Sequence, residues 1–262
     1  MQERHSNQQQ YFNEQITTTK KFVVPFISTI RNVESGQRIL EIGCGESGNL
    51  MPFLDLGCVC VGVDLSSGKI KKGKEFFKGH AFEQNLTLIV QDIYKVKELE
   101  GGPFDVIMMR DVIEHIPNQE YFMDYVKGFL KDDGLIFFGF PPWQNPFGGH
   151  QQNCKSFLSK VPWFHLLPKF AYTALLTSFE EPKKVSNMLE IRDTGISLDR
   201  FNKILKVQSY EIKKKNLYLI NPNYETKFGL KPRIQWKWLS SIPYFRNFVV
   251  TAGYYLVAKK QQ

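Results

Sequence analysis

The side chains best suited to chemistry stand at the ends of apolar runs. Glu41, Gly43, Cys44 and Gly45 form an E-I-G-C-G stretch, Asp64 closes a following valine-rich run, and Asp92 closes another. Gly43 and Gly45 allow a tight turn against a ligand, and Gly48 is expected to let the next helix approach the sheet. An acid at position 64 can accept hydrogen bonds from both hydroxyls of a ribose, and one at position 92 can receive an exocyclic amine such as adenine N6. A nucleoside-containing cofactor follows. Gly43, Gly45 and Gly48 also satisfy G-x-G-x-x-G with Asp64 about 20 residues on, the dinucleotide fingerprint, so the loop alone does not choose between cofactors. Glu41 does discriminate: a carboxylate facing the ligand suits a sulfonium or ammonium better than a pyrophosphate. For an isolated acid at Asp64 or Asp92, capping of the next helix would be the simpler role.

These residues need a parallel sheet to hold them. Ile39, Leu40 and Ile42, then Val59, Val61 and Val63, read as strands covered on both faces. Residues 86–91, 104–109 and 135–140 read as three more, and 104–109 run into Arg110-Asp-Val-Ile-Glu-His-Ile-Pro117. In these motifs, from about residue 37 to 140 and more weakly from 197 to 260, the chain resembles the class I S-adenosylmethionine (SAM)-dependent methyltransferases. Within that class it is similar to the ubiquinone and menaquinone biosynthesis group. The resemblance implies a doubly wound α/β domain whose seven strands lie in the order 3-2-1-4-5-7-6, the last antiparallel. It places Glu41, Gly43, Cys44 and Gly45 at the methionine end of SAM, Asp64 and Leu65 at the ribose, Asp92 and Ile93 at the adenine, and Arg110 in the wall after strand four. It also implies a covering N-terminal segment, with Tyr11 and Thr18 as candidate contacts.

Methyl transfer from a sulfonium needs positioning and no metal, and no compact metal-ligand cluster is visible in the sequence. A hydroxyl acceptor would gain from a general base, for which the candidates are His115 and His150. His150 lies in a glycine-flanked loop just past strand five. His115 belongs to the E-H-I-P turn, where holding the loop is the simpler role.

Around this frame, Phe22, Val23, Phe26, Ile27 and Ile30 recur at helical spacing with Pro25 at a start or kink, after a glutamine-rich stretch expected to fray. Asn118 is placed to cap a helix bearing Phe122, Val126, Phe129 and Leu130, with Asp132-Asp-Gly134 as a turn. Ser197 opens another helix, and residues 210–220 and 249–258 read as late strands. Two segments, 141–194 and 221–247, interrupt the scheme as insertions in a single domain spanning 1–262. The first is expected to cap the substrate site, and its aromatic stretch at 161–176 suits a lid, a membrane contact or a helix packed on the core.

Net charge is +8, from 34 Lys and Arg against 26 Asp and Glu. The late excess of lysines suits either an anionic partner or a solvated face. Cys44, Cys58, Cys60 and Cys154 form no C-x-x-C pair and read as reduced thiols of a cytoplasmic protein; no signal core or transmembrane run is present. The reading is a SAM-dependent methyltransferase acting on a small or lipid-linked acceptor, at oxygen. An RNA methyltransferase or non-catalytic nucleic-acid binder is the alternative, from late lysines among Trp236, Trp238, Tyr244 and Phe245. Pro141-Pro-Trp143 lacks the Asp or Asn of a base-flipping DNA methyltransferase, since Phe140 stands there. A NAD-dependent dehydrogenase would need a substrate domain for which the chain has little room.

Overall fold

Successive strand residues face opposite sides of one sheet, and both sides are apolar. Leu40, Ile42, Val61, Val63, Ile107 and Ile136 feed one core layer, while Ile39, Cys58, Cys60, Val106, Met108 and Phe137 feed the other. The computed structural model describes residues 7–260. Its strands are β1 (Arg38–Ile42), β2 (Val59–Asp64), β3 (Leu86–Val90), β4 (Phe104–Arg110), β5 (Leu130–Phe140), β6 (Tyr210–Ile220), β7 (Arg233–Ile234) and β8 (Ala252–Lys259). They lie in the order β3-β2-β1-β4-β5-β8-β6-β7. β1 to β5 are parallel, and β8 runs antiparallel to both β5 and β6. The expected seven-strand order is therefore present, extended at its edge by the two-residue β7.

Helices cover both faces. α1 (Gln8–Thr18) and its continuation through a π-turn (Thr19–Val23) and Val24–Ser28 pack on one face with α2 (Met51–Asp55) and α3 (Ser67–Phe77). α4 (Gln119–Tyr125) and α7 (Leu198–Val207) cover the other. Ser197 caps α7 by accepting from Arg200 N, and Leu198, Phe201, Ile204 and Leu205 are buried, as their spacing predicts.

Three local expectations change. The first turn of α1 includes Gln8 to Gln10, because Asn7 caps it and Phe12 is held against Phe76 and Phe77, with ring centroids 4.4 and 5.7 Å away. The rest of the glutamine-rich stretch, residues 1–6, lies outside the described residues. Asp132, Asp133 and Gly134 do not turn the chain. They sit inside β5 as a bulge, where the register with β4 jumps from Phe104↔Leu130 to Val106↔Leu135. The last strand starts at Ala252, because Arg246–Val249 closes into a helical turn.

The segment 141–194 folds into short 3₁₀ turns followed by α5 (Lys169–Phe179) and α6 (Pro182–Thr194). Pro168 ends the 3₁₀ turn before α5, so 161–176 is not one helix. Phe164, Tyr172, Leu176 and Met188 close around Cys154 and Leu158 as a separate small core. In the second insertion, α8 (Asn223–Phe228) packs against α1, and Thr18 Oγ1 donates to Asn223 Oδ1 at 3.2 Å. All four cysteines are buried free thiols. Among the described residues, no helix is long and apolar enough to cross a membrane.

Candidate active site

β1 ends at the glycine loop, and its pleat sends Ile42 into one core layer and turns Glu41 the other way. Glu41 is 1% exposed. Its Oε1 accepts from Asn49 Nδ2 at 2.6 Å, whereas Oε2 has no partner. Burial pushes the carboxyl up to about 8 even though Asn49 and Arg110 pull it down. Asn49 Oδ1 also accepts from Thr19 Oγ1 at 2.8 Å and from Arg110 Nη1 at 2.9 Å. One amide thus ties together the ends of β1 and β4 and the N-terminal helical run. A buried carboxyl oxygen without a donor is a ready acceptor for a cation such as an ammonium.

The loop that follows takes the left-handed region at Gly43 and Gly45, with φ of 69° and 55°. A Cβ at Gly43 would lie 2.6 Å from Val112 Cγ2, so a side chain is excluded there on two counts. Gly48 has a different purpose from the expected one. No helix begins until Met51, and a Cβ at Gly48 would meet Phe12 O at 2.7 Å and Gln15 Oε1 at 2.8 Å. It is α1, crossing above the loop, that requires this glycine.

Asp64 pins the loop to the tip of β2: Gly45 N donates to Oδ2 at 2.8 Å and Ser66 N to Oδ1 at 2.7 Å. The cap of α3 is Ser66 itself, accepting from Lys69 N, so helix capping is not the task of Asp64. Each Asp64 oxygen still has a lone pair for a hydroxyl. Asp92 caps the turn Ile93–Lys95 by accepting from Tyr94 N at 3.1 Å. Ile93 is buried, while Leu65 at the β2 tip is 75% exposed and free to lie against an apolar ring. Cys44 is buried with its thiol pushed well up by burial, which makes it a packing residue.

Beside this tract, at the carboxyl ends of β4 and β5, lies a cavity of about 340 Å³. Arg110 and Asp111 wall it from β4, His150 and Gln152 from the loop after β5, Tyr11 from α1 and Tyr224 from α8. The fold therefore brings Tyr11 to the cavity. It directs Thr18 to the α1–α8 contact instead, where the hydroxyl meets Asn223 and Thr226.

His150 and His115 meet edge to face with ring centroids 4.8 Å apart. His150 Nε2 lies 3.9 Å from Glu114 Oε1, and both Glu114 oxygens are buried without a hydrogen-bond partner. Burial holds both imidazoles down to about 4 and pushes the Glu114 carboxyl well up, Asp111 reinforcing the latter. At neutral pH both imidazoles are therefore neutral. Ligand atoms of Glu114, His115 and His150 all lie within 4.8 Å of one another, a set that could hold a metal ion. Sequence spacing shows no such set, because His150 reaches it from beyond β5. Sequence reasoning also missed Asn49, whose only signal is an amide directly after the last loop glycine, and the α8 wall, which has no motif at all.

A family model described as a methyltransferase domain matches residues 12–155, more than half of the chain. A ubiquinone biosynthesis O-methyltransferase of Glaesserella parasuis is 28% identical over 118 residues, covering 43% of this chain and 48% of that protein. The chain thus spans about half the length of the curated relatives it matches. Among solved structures, a methyltransferase from Galdieria sulphuraria superposes with a TM-score of 0.61 at 12% identity, over 92% of this chain and 85% of the other. The magnesium protoporphyrin IX methyltransferase of Synechocystis PCC 6803 with bound S-adenosylhomocysteine gives 0.55 at 14% identity, over 95% and 84%. At these identities the superpositions show a shared fold.

Proposed function

The chain belongs to the methyltransferase-domain family; from that premise we propose that it is a class I SAM-dependent enzyme that methylates an oxygen of a small-molecule or lipid-linked acceptor held beside His150. The observation that carries this reading is an imidazole, neutral at pH 7, that lines a cavity at the carboxyl end of the sheet, next to the candidate cofactor tract. The names of the sequence relatives, O-methyltransferases, support oxygen as the acceptor atom.

SAM, when bound, supplies an electrophilic methyl and departs as S-adenosylhomocysteine. The chain supplies position. Glu41 receives the ammonium, Gly43 and Gly45 admit close approach of backbone, Asp64 takes the ribose hydroxyls with Leu65 beside them, and Asp92 and Ile93 border the adenine. Arg110, fixed by Asn49, walls the reacting end. His150 accepts the hydroxyl proton as the oxygen–methyl bond forms. A hydroxyl becomes strongly acidic as it gains that methyl, so even an imidazole held near 4 is basic enough. Lining up the oxygen with the methyl supplies the larger part of the rate, about 7 to 11 kcal/mol. Mass spectrometry of metabolite extract incubated with the protein and methyl-labelled SAM tests the proposal. Label on an O-methyl product supports it; label confined to carbon, nitrogen or RNA, or no transfer, refutes it.

Glu41 makes a pH-dependent prediction. Its folded carboxyl is raised to about 8, so it is mostly protonated below that, while an ammonium partner requires the ionised form. SAM affinity should therefore increase as pH rises from about 6 to about 7.5, below the range where an α-amine itself loses its proton. Titration calorimetry of Glu41→Gln should show weaker binding without that slope. A slope retained in the variant would remove Glu41 from the cofactor site.

The segment 141–194 is assigned the role of substrate cap. The double variant Tyr172→Ala, Leu176→Ala empties its small core and should raise acceptor KM by about tenfold or more, since mispositioning is costly, while SAM affinity is unchanged. Loss of SAM binding in a folded variant would instead make the segment part of the cofactor site.

A further inference from the structure

The chain leaves the cavity wall at α8 and enters a stretch whose surface no part of the methyl-transfer reading uses. Residues 226–248 carry Lys227, Lys231, Arg233, Lys237 and Arg246 and not one Asp or Glu. Large apolar side chains are interleaved with these cations and point outward: Leu230, Ile234, Trp236, Trp238, Ile242 and Phe245 are all exposed. The two tryptophans are 59% and 65% exposed and stack with an interplanar angle of 14°, so they present a common face. The core holds this stretch through other residues. Gln235, only 2% exposed, takes its backbone bond from β6 through Leu217 O at 2.7 Å, and Arg246 pairs with Asp199. Among the described residues, Lys231, Arg233 and Lys237 pair with no carboxylate.

From this juxtaposition we propose that residues 230–245 dock the protein on an anionic lipid bilayer, with the tryptophans and aliphatic side chains at the headgroup boundary and the three cations against lipid phosphates. Charge and chemistry together select this occupant. Indole rings settle at a membrane–water boundary, and unpaired cations are drawn to an acidic leaflet. Single-stranded nucleic acid would use the aromatic rings and cations but has no need of exposed Leu230, Ile234 and Ile242. A second copy of the chain would bring like charges face to face. The surface differs from the aromatic stretch 161–176, where Phe164, Tyr172 and Leu176 are buried in their own core and the exposed Trp163, Leu167 and Phe170 stand around Lys169, which pairs with Asp193. Because the stretch continues from α8, docking would set the cavity close to the bilayer.

Sedimentation of the full chain with phosphatidylcholine vesicles, with and without phosphatidylglycerol, tests the proposal. Binding is expected only to the vesicles with phosphatidylglycerol and should weaken with salt. The triple variant Lys231→Gln, Arg233→Gln, Lys237→Gln should reduce partitioning on the order of a hundredfold. Trp236→Ala, Trp238→Ala should abolish quenching of tryptophan fluorescence by brominated lipid and release the protein, with SAM affinity intact in both variants as the check on folding. No association with anionic vesicles, or association unaffected by either variant, overturns the proposal. So does a wild-type dimer, seen by analytical ultracentrifugation, that the tryptophan variant dissociates. Single-stranded RNA bound more tightly than the vesicles through the same residues would overturn it as well.

Discussion

His150→Ala lowers kcat by about a hundredfold or more while SAM affinity stays near its wild-type value. The imidazole lines the cavity beside Arg110 and Asp111, and burial lowers it to about 4. Because His150 has φ of 55°, His150→Asn is the companion variant, since asparagine tolerates the left-handed region and keeps the loop in place. Both should lose the same rate. The sign of the pH dependence follows from the direction of the shift. Burial lowers the imidazole to about 4, so it is already the free base at neutral pH, and the wild-type rate falls only as pH drops through the region of 4 to 5. That limb disappears in the variants. A limb that persists in them would report unfolding. Wild-type kcat in both variants would leave positioning as the whole of catalysis and return His150 to the status of a loop residue.

Asp64→Ala weakens SAM binding by at least about 1.5 kcal/mol, roughly tenfold, since a charged acceptor of the ribose hydroxyls is lost. The fold gives this substitution a second consequence. Asp64 also holds Gly45 N and Ser66 N, so the glycine loop loses its tie to β2 at the same time. The two effects separate in a double cycle with a 2′-deoxy analogue of S-adenosylhomocysteine. If Asp64 touches the hydroxyl, the variant and the analogue each lose affinity and the combination loses little more. If the losses add, Asp64 serves the loop alone. Unchanged affinity in calorimetry would refute the ribose assignment outright.

The sheet and its tips were legible in sequence because they depend on local rules. Runs such as Ile39, Leu40 and Ile42, and Val59 to Val63, read as strands buried on both faces of a parallel sheet, and a glycine loop closing on an acid has few other uses. The cap residues Asn118 and Ser197 act within three residues of themselves, and each does what its type predicts, whereas the next helix after β2 is capped by Ser66 and not by the acid Asp64. Boundaries failed where a distant partner decided them. Asp132-Asp-Gly134 reads as a turn until pairing with β4 makes it a bulge, and Gly48 reads as a helix–sheet spacer until α1 crosses it.

The reacting side of the site lay further from view. Glu114 and His115 sit in a recognisable run, but their encounter with His150 needs the loop after β5 to fold back past β4, and no spacing records that return. Asn49 becomes the hub among Glu41, Thr19 and Arg110 only when three separate elements converge on one amide. The sequence by itself determined the class of cofactor and the sheet, because each candidate residue there stands at or within a few positions of the end of its strand. Tertiary structure alone decided the cavity and the shifts of His150, His115 and Glu114 beside it, because burial and long-range approach set those shifts, and neither is a property of a residue and its neighbours in the chain.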